Sequence, residues 1–109
     1  MPARTKRRAK FSFRNRPFVW WVDNDKYLRI TSLDKKFVIA LALGASGPSA
    51  LSVIGQEFPG IEPSEPRPIW LAIDWPSGDS MGAYVDSLLR WSFDPTHELI
   101  RLSQPPRFY

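Results

Sequence analysis

The sharpest pattern of hydrophobic and polar residues lies between Phe18 and Thr31, where F-V-W-W-V and Y-L-R-I-T flank the polar D-N-D-K. β-Branched and aromatic residues favour a pleated, half-buried surface, and two such runs around a short polar connection are typical of a β-hairpin. The pattern therefore predicts two antiparallel strands here, with the densest aromatic content of the chain.

The predicted turn decides which side chains of this hairpin share a face. A two-residue turn, Asn24-Asp25, places Trp20 opposite Arg29. Alternation along each strand then separates the side chains onto two faces. The predicted core face is apolar throughout and carries Val19, Trp21, Leu28 and Ile30. The other, the predicted aromatic face, is too apolar for ordinary solvated surface and carries Phe18, Trp20, Val22, Tyr27, Arg29 and Thr31.

Four other segments have the pattern of strands. The apolar run Phe37–Leu43 predicts a central strand buried on both faces, with a short buried helix as the alternative. After the turn-forming segment Gly44–Ser49, Leu51–Gln56 predicts a returning strand and so a second hairpin. Ile69–Ile73 predicts a further strand, and the alternation in Lys10–Arg14 predicts a short edge strand.

One helix is predicted at about residues 79–91. Ser77, Asp79 or Ser80 can cap its N-terminus. The predicted fold is α+β: an antiparallel sheet built from consecutive hairpins, packed against this helix and completed by a closing strand in Glu98–Ser103. The apolar stripe that faces the sheet is predicted to contain Met81, Tyr84, Val85, Leu88, Leu89 and Ser92.

The segment Glu57–Pro68 (E-F-P-G-I-E-P-S-E-P-R-P) carries four prolines. Proline has no amide hydrogen and fixes φ, so the segment is predicted to be an extended surface loop. A proline-rich loop of this kind is also a candidate contact for a partner protein.

Composition narrows the class of protein. A chain of 109 residues with 43% hydrophobic residues forms one domain and buries a core without a metal ion or disulfides. The absence of cysteine excludes disulfide scaffolds, thiolate metal sites and cysteine nucleophiles, and it favours a cytoplasmic setting. No apolar run approaches the roughly 20 residues of a membrane span, and no secretory signal is recognisable.

The charge is unevenly distributed along the chain. Subtracting the 7 basic residues of positions 1–16 from the 15 Lys and Arg leaves 8 basic against 11 acidic residues in positions 17–109. The sequence therefore predicts a mildly acidic domain (17–109) preceded by a basic, flexible arm (1–16). The arm is interpreted as a solubilising terminus, a nucleic-acid contact or a targeting segment. Its candidate nucleic-acid contacts are Arg4, Lys6, Arg7, Arg8, Lys10, Arg14 and Arg16.

The segment Gly78–Gly82 (G-D-S-M-G) matches the G-x-S-x-G pattern of serine hydrolases. A hydrolase would use Ser80 as the nucleophile and His97 as its base. However, Asp74–Ser77 separates the motif from the preceding strand, and a helix about 16 Å long would separate Ser80 from His97. A turn at Gly78 and a helix cap at Ser80 explain the motif without catalysis.

No metal site or cofactor is predicted. His97 is the single histidine, and its neighbour Glu98 would point to the opposite face of a strand. Asp23 and Asp25 bracket an asparagine as in the opening of a calcium loop, but the glycine and the distal glutamate that such a loop requires are missing.

The predicted aromatic face is the remaining candidate site. Aromatic side chains on a sheet beside basic residues can stack nucleobases or contact a protein. The alternative is a second hydrophobic layer, closed by the helix, by Phe11 and Phe13, or by Phe108 and Tyr109. The candidate binding residues of this face are Phe18, Trp20, Tyr27 and Arg29.

Four segments resemble a pattern in small uncharacterised bacterial proteins that have no assigned activity. They are W-W-V-D (20–23), Y-L-R-I (27–30), K-F-V-I-A (36–40) and E-F-P-G (57–60). The resemblance implies a bacterial, cytosolic origin. It includes no catalytic signature and carries no functional residue over to this chain.

Three functions are compatible with these features. The first is a small, non-enzymatic binding module whose partner is a protein, contacted through the predicted aromatic face or the proline-rich loop. The second is a nucleic-acid-binding protein that uses the basic arm for phosphates and the hairpin for bases. The third and least favoured is a small serine hydrolase. The sequence predicts neither the identity of the partner nor the oligomeric state.

Overall fold

The computed structural model describes residues 8–44, 49–76, 78–94 and 98–106. These residues contain seven β-strands and one α-helix, joined by turns and loops. The strands are β1 (Ala9–Phe13), β2 (Arg16–Asp23), β3 (Tyr27–Ser32), β4 (Val38–Ala42), β5 (Ala50–Val53), β6 (Ile69–Ala72) and β7 (Ile100–Arg101), and the helix is α1 (Met81–Phe93). Every strand pairs antiparallel with the next in chain order, in a single sheet. This architecture confirms the predicted α+β fold.

Several elements lie where the hydrophobic pattern predicts them. β4 is the central strand, and its residues from Ile39 to Ala42 are buried, which confirms the strand predicted over Phe37–Leu43. β1 is an edge strand and confirms the prediction over Lys10–Arg14, so residues 9–13 of the predicted arm lie in β1 and Arg16 begins β2. Residues 1–7 lie outside the described part of the chain. The described residues contain no helix that is long and apolar enough to cross a membrane.

The hairpin of β2 and β3 differs from its prediction by one residue. The predicted turn at Asn24-Asp25 forms, since the Lys26 amide donates to the Asp23 carbonyl at 3.0 Å. However, the ladder pairs Asp23 with Tyr27 and passes over Lys26. The Lys26 carbonyl instead accepts from the amide of Leu43, at 2.7 Å. The connection therefore contains three residues rather than two.

The extra residue reverses the faces of β2 relative to β3. Trp20 pairs with Ile30 instead of Arg29, and because successive side chains alternate, each residue of β2 lies on the face opposite to the predicted one. The prediction that Val19 and Trp21 face the core is wrong. One face of the sheet, the core face, carries Phe18, Trp20, Val22, Leu28 and Ile30. The other, the open face, carries Val19, Trp21, Tyr27, Arg29 and Thr31.

Helix α1 packs on the core face, and its predicted stripe is confirmed. The stripe residues Val85, Leu88, Leu89 and Ser92 are buried, and Met81 and Tyr84 pack partly against the same core. The Ser80 hydroxyl accepts from the Ala83 amide at 3.2 Å and caps the helix, as one of the three predicted caps.

A phenylalanine cluster joins the end of α1 to the sheet and to the loop before β6. The ring centre of Phe37 lies 4.7 Å from that of Phe93. Phe37 also contacts the rings of Phe18 at 5.9 Å and Phe58 at 6.0 Å. The ring of Phe13 stacks on Phe93 at 6.0 Å. The cluster therefore connects four distant parts of the chain around Phe37.

The proline-rich loop is bound to the domain rather than extended. Phe58 and Ile61 are buried in the core. The Arg67 guanidinium donates to four backbone carbonyls, those of Gly55 (2.9 Å), Gln56 (3.3 Å), Glu62 (3.4 Å) and Glu65 (2.8 Å). Because the chain folds around this one side chain, the loop does not present itself as an extended ligand for a partner.

Candidate functional site

The open face carries a row of paired residues that crosses five strands. From β2 to β6 the row consists of Trp21, Arg29, Ala40, Ser52 and Trp70. Neighbouring strands are about 4.8 Å apart, so Arg29 and Trp70 lie about 14 Å apart, with two small residues between them. The row therefore has large side chains towards both ends and a low floor at Ala40 and Ser52.

A groove of about 240 Å³ lies above this floor. Tyr27 and Arg29 line one side of it and Trp70 the other. Ile54 and Pro68 also line the groove. Apart from the Arg29 guanidinium, the Trp70 indole N–H and the Ser52 and Tyr27 hydroxyls, the side chains around it are apolar. An arrangement of this kind suits a flat, mostly apolar group with polar edges.

Two arginines lie over aromatic rings of the open face. The Cζ atom of Arg8 is 4.2 Å from the ring centre of Trp21, and that of Arg29 is 5.2 Å from the ring centre of Tyr27. Arg29 also donates from Nε to Oδ2 of Asp23, at 2.9 Å. Each cation–π contact of this type contributes roughly 0.5 to 1 kcal/mol at an exposed site. Together these contacts hold both guanidinium groups at the face.

The open face is more basic than the rest of the domain. Lys10 and Arg29 lie on its strands, and Arg8 directly precedes β1, against the single acidic residue Asp23 on the described strands of this face. β1 itself belongs to the basic segment of positions 1–16. Carboxylates elsewhere in the domain pair with other arginines, namely Asp34, Glu57, Glu65, Asp86 and Asp94.

The structure separates the residues of the predicted aromatic face. Phe18 is buried and Trp20 packs partly against the core, both on the core face. Tyr27 and Arg29 are half-buried on the open face. The prediction that these four share a face is wrong, because β2 is shifted by one residue. That Tyr27 and Arg29 bind a ligand stays a prediction.

The sequence interpretation missed both tryptophans of the open face. The predicted register places Trp21 on the core face. Trp70 lies between Ile69 and Leu71 in a short apolar strand, and such a run does not indicate which of its faces is covered. The pairing of Trp70 with Ser52 is the information that places it beside the groove.

Two basic residues of the predicted arm take part in ion pairs within the domain. Arg14 pairs with Asp94, directly after α1. Arg16 donates to both carboxylate oxygens of Glu57, at 2.9 and 2.8 Å, and approaches Asp34 at 3.4 Å. Both arginines therefore contribute to the fold. The predicted contacts that lie outside the described residues are Arg4, Lys6 and Arg7.

These ion pairs predict a loss of stability in acid. The Arg16 guanidinium lowers the pKa of Glu57, and the Ser32 hydroxyl is the main cause of the lowered pKa of Asp34. A carboxyl group whose pKa is lower in the folded protein binds fewer protons there than in the unfolded chain. The stability that Glu57 and Asp34 contribute is therefore complete above their unfolded-state pKa values of about 4. It is lost as the pH falls through their folded-state pKa values. We expect Arg16→Gln to show a shallower loss of unfolding free energy below about pH 5 in urea titrations, whereas Arg90→Gln keeps the original slope. An unchanged slope in Arg16→Gln would contradict this role.

In the G-D-S-M-G segment, Ser80 caps α1, which confirms the predicted cap. The nearby carboxylate of Asp86 pairs with Arg90 at 2.6 Å. His97, the proposed base of a hydrolase, lies outside the described residues. Within the described ranges, no group of three or more His, Cys, Asp or Glu side chains could hold a metal ion.

Comparison of the chain with protein-family models, with curated proteins and with solved structures found no match. The resemblance to small bacterial proteins stays a prediction. The geometry and charge of the open face are therefore the basis for a functional assignment.

Proposed function

We propose that this chain is a non-enzymatic binding protein that holds single-stranded nucleic acid on the open face of its sheet. The observation that carries the proposal is the row that contains Trp21, Arg29 and Trp70, beside the basic residues Arg8 and Lys10. Bases of a single strand stack on aromatic side chains, while basic residues neutralise the phosphates. In a duplex the base faces are already stacked, so this face suits a single strand.

The size of the face supports a ligand longer than one nucleotide. Trp21 and Trp70 are separated by four strand intervals, or about 19 Å. Arg8 and Lys10 lie on the side of Trp21 that is farther from Trp70. A strand that crosses the sheet from Trp70 towards β1 would therefore meet aromatic rings first and then these two cations.

The salt dependence of binding tests the electrostatic part of the proposal. We expect a labelled oligothymidylate of about 12 nucleotides to bind at about 50 mM salt and to dissociate steeply towards 200 mM in fluorescence anisotropy. Each contact with a single-strand phosphate contributes about 0.7 to the slope of log affinity against log salt, so Arg8→Gln with Lys10→Gln should reduce the slope by about 1.4. The control Arg90→Gln removes a charge from the helix and should leave the slope unchanged. A duplex of the same length should bind more weakly.

Removal of one ring tests the stacking part. Trp21→Ala should weaken oligothymidylate binding by about 5- to 150-fold, the equivalent of one lost base stack. The matched control is Trp75→Ala, because Trp75 is 47% exposed and contacts Tyr84 of the helix rather than the open face. Equal affinities of the two variants would contradict the assignment of the open face.

A protein partner on the same face is the second candidate. Ile54 and Ile100 are 37% and 59% exposed and both lie on this side of the sheet, where they would suit an apolar protein contact. If the unmodified chain binds neither oligothymidylate nor oligouridylate at about 50 mM salt, the nucleic-acid proposal fails and a protein partner becomes the better explanation. The cytoplasmic location and the bacterial origin stay predictions.

A further inference from the structure

The groove of the open face has a floor of small side chains. Ala40 and Ser52 are only 1% and 3% exposed, although they lie on the face opposite to α1. Ala42 and Ala50 are also buried on this face. Small residues leave the volume above β4 and β5 to another group, and the large side chains on either side limit that group to a narrow shape.

Ser52 is the polar group at the centre of this floor. It lines the groove and is 3% exposed. A serine hydroxyl can both donate and accept a hydrogen bond. A ligand with a polar edge that enters the groove can therefore form a hydrogen bond with Ser52.

The walls of the groove select the shape of the ligand. Trp70 presents an indole on one side, and Tyr27 and Arg29 stand on the other. The contact with Asp23 holds the Arg29 guanidinium in place. A planar ring can stack on the Trp70 indole through one face while its polar edge reaches Ser52 and Arg29. In a nucleic acid this combination belongs to the base, since the sugar and phosphate are neither flat nor apolar.

We propose that this groove is a pocket for one nucleobase of the bound strand, with Trp70 as the stacking wall and Ser52 as the hydrogen-bonding group at the floor. The inference rests on the proposed function, and it adds a defined site for one nucleotide to a surface that otherwise binds by charge and stacking. Ala40 is small in this arrangement because a larger side chain would occupy the position of the base.

Filling or opening the pocket tests the proposal. In the anisotropy assay with oligothymidylate, Ala40→Leu and Trp70→Ala should each weaken binding by about 5- to 150-fold. Ser52→Ala should weaken binding by about 2- to 12-fold, as expected for one lost hydrogen bond. The control Ala9→Leu adds the same volume as Ala40→Leu but on the core face, and it should bind like the unmodified chain. Heat unfolding shows whether each variant is folded. If Ala40→Leu is unfolded, Trp70→Ala and Ser52→Ala still test the proposal.

Double variants show whether Ala40→Leu and Trp70→Ala act on the same base. Ala40→Leu with Trp70→Ala should bind no more weakly than the weaker single variant, because both remove one base contact. Ala40→Leu with Trp21→Ala should show the product of the two single effects. In an NMR titration, the indole N–H signal of Trp70 should shift and that of Trp75 should not.

The outcomes separate this inference from the proposed function. If Ala40→Leu and Trp70→Ala bind oligothymidylate as tightly as the unmodified chain while Arg8→Gln with Lys10→Gln weakens binding, the base pocket is overturned and the binding function stands. If the unmodified chain does not bind the oligonucleotide, both proposals fail.

Discussion

Replacing Phe37 with alanine should lower the free energy of unfolding by about 3 to 5 kcal/mol, the largest loss that we expect from a single substitution in this chain. Phe37 is fully buried and contacts the rings of Phe18, Phe58 and Phe93. These rings come from β2, the proline-rich loop and α1, so their backbones cannot all move inwards to fill the cavity. A cavity that cannot collapse gives the larger losses of this type.

Urea unfolding followed by tryptophan fluorescence measures this loss. The control is Phe11→Ala, because Phe11 is half-buried on the edge strand β1 and should lose less than half as much. A loss of under about 1.5 kcal/mol for Phe37→Ala would show that the phenylalanine cluster repacks around the missing ring.

Replacing Arg67 with lysine should lower the free energy of unfolding by roughly 2 to 3 kcal/mol, although the charge is kept. The guanidinium reaches the carbonyls of Gly55 and Gln56, just before the loop, and those of Glu62 and Glu65 within it. A single ammonium group cannot donate to all four because its three hydrogens leave from one atom. The loop would therefore lose much of its attachment to the end of β5.

The matched control for Arg67→Lys is Arg90→Lys. Arg90 is exposed on α1 and makes an ion pair with Asp86, so this change should alter stability by no more than about 0.5 kcal/mol. Limited proteolysis adds a local readout, since the segment Glu57–Pro68 should be cut faster in Arg67→Lys than in the control. Equal cutting rates would contradict the role of Arg67 in holding the loop.

The elements with strong local signals were predictable. The stripe from Met81 to Ser92 and the cap at Ser80 predict α1 to within two residues at each end. The apolar run around Ile39 predicts the central strand. In each case the signal comes from residues close in sequence, whose periodicity or capping chemistry favours one backbone conformation in any surroundings.

The face of β2 was not predictable because it depends on a contact between distant residues. The tetrapeptide D-N-D-K is compatible with a connection of two or three residues. The hydrogen bond from the Leu43 amide to the Lys26 carbonyl accompanies the three-residue connection. In the register that this connection gives, Phe18 lies in the phenylalanine cluster with Phe37 and Phe93. A shift of one residue transfers every side chain of a strand to the other face, so a small local difference changes the whole candidate site.

The sequence by itself determined the fold class, the order of strands and helix, and the segregation of basic residues near the start of the chain. Only the tertiary structure decided that Trp21 and Trp70 share the open face with Arg29, and that Arg16 and Arg67 are used within the fold. The physical reason is the range of the interactions. Secondary structure follows from neighbours a few residues apart, whereas the composition of a sheet face depends on the register of strands that are distant in sequence.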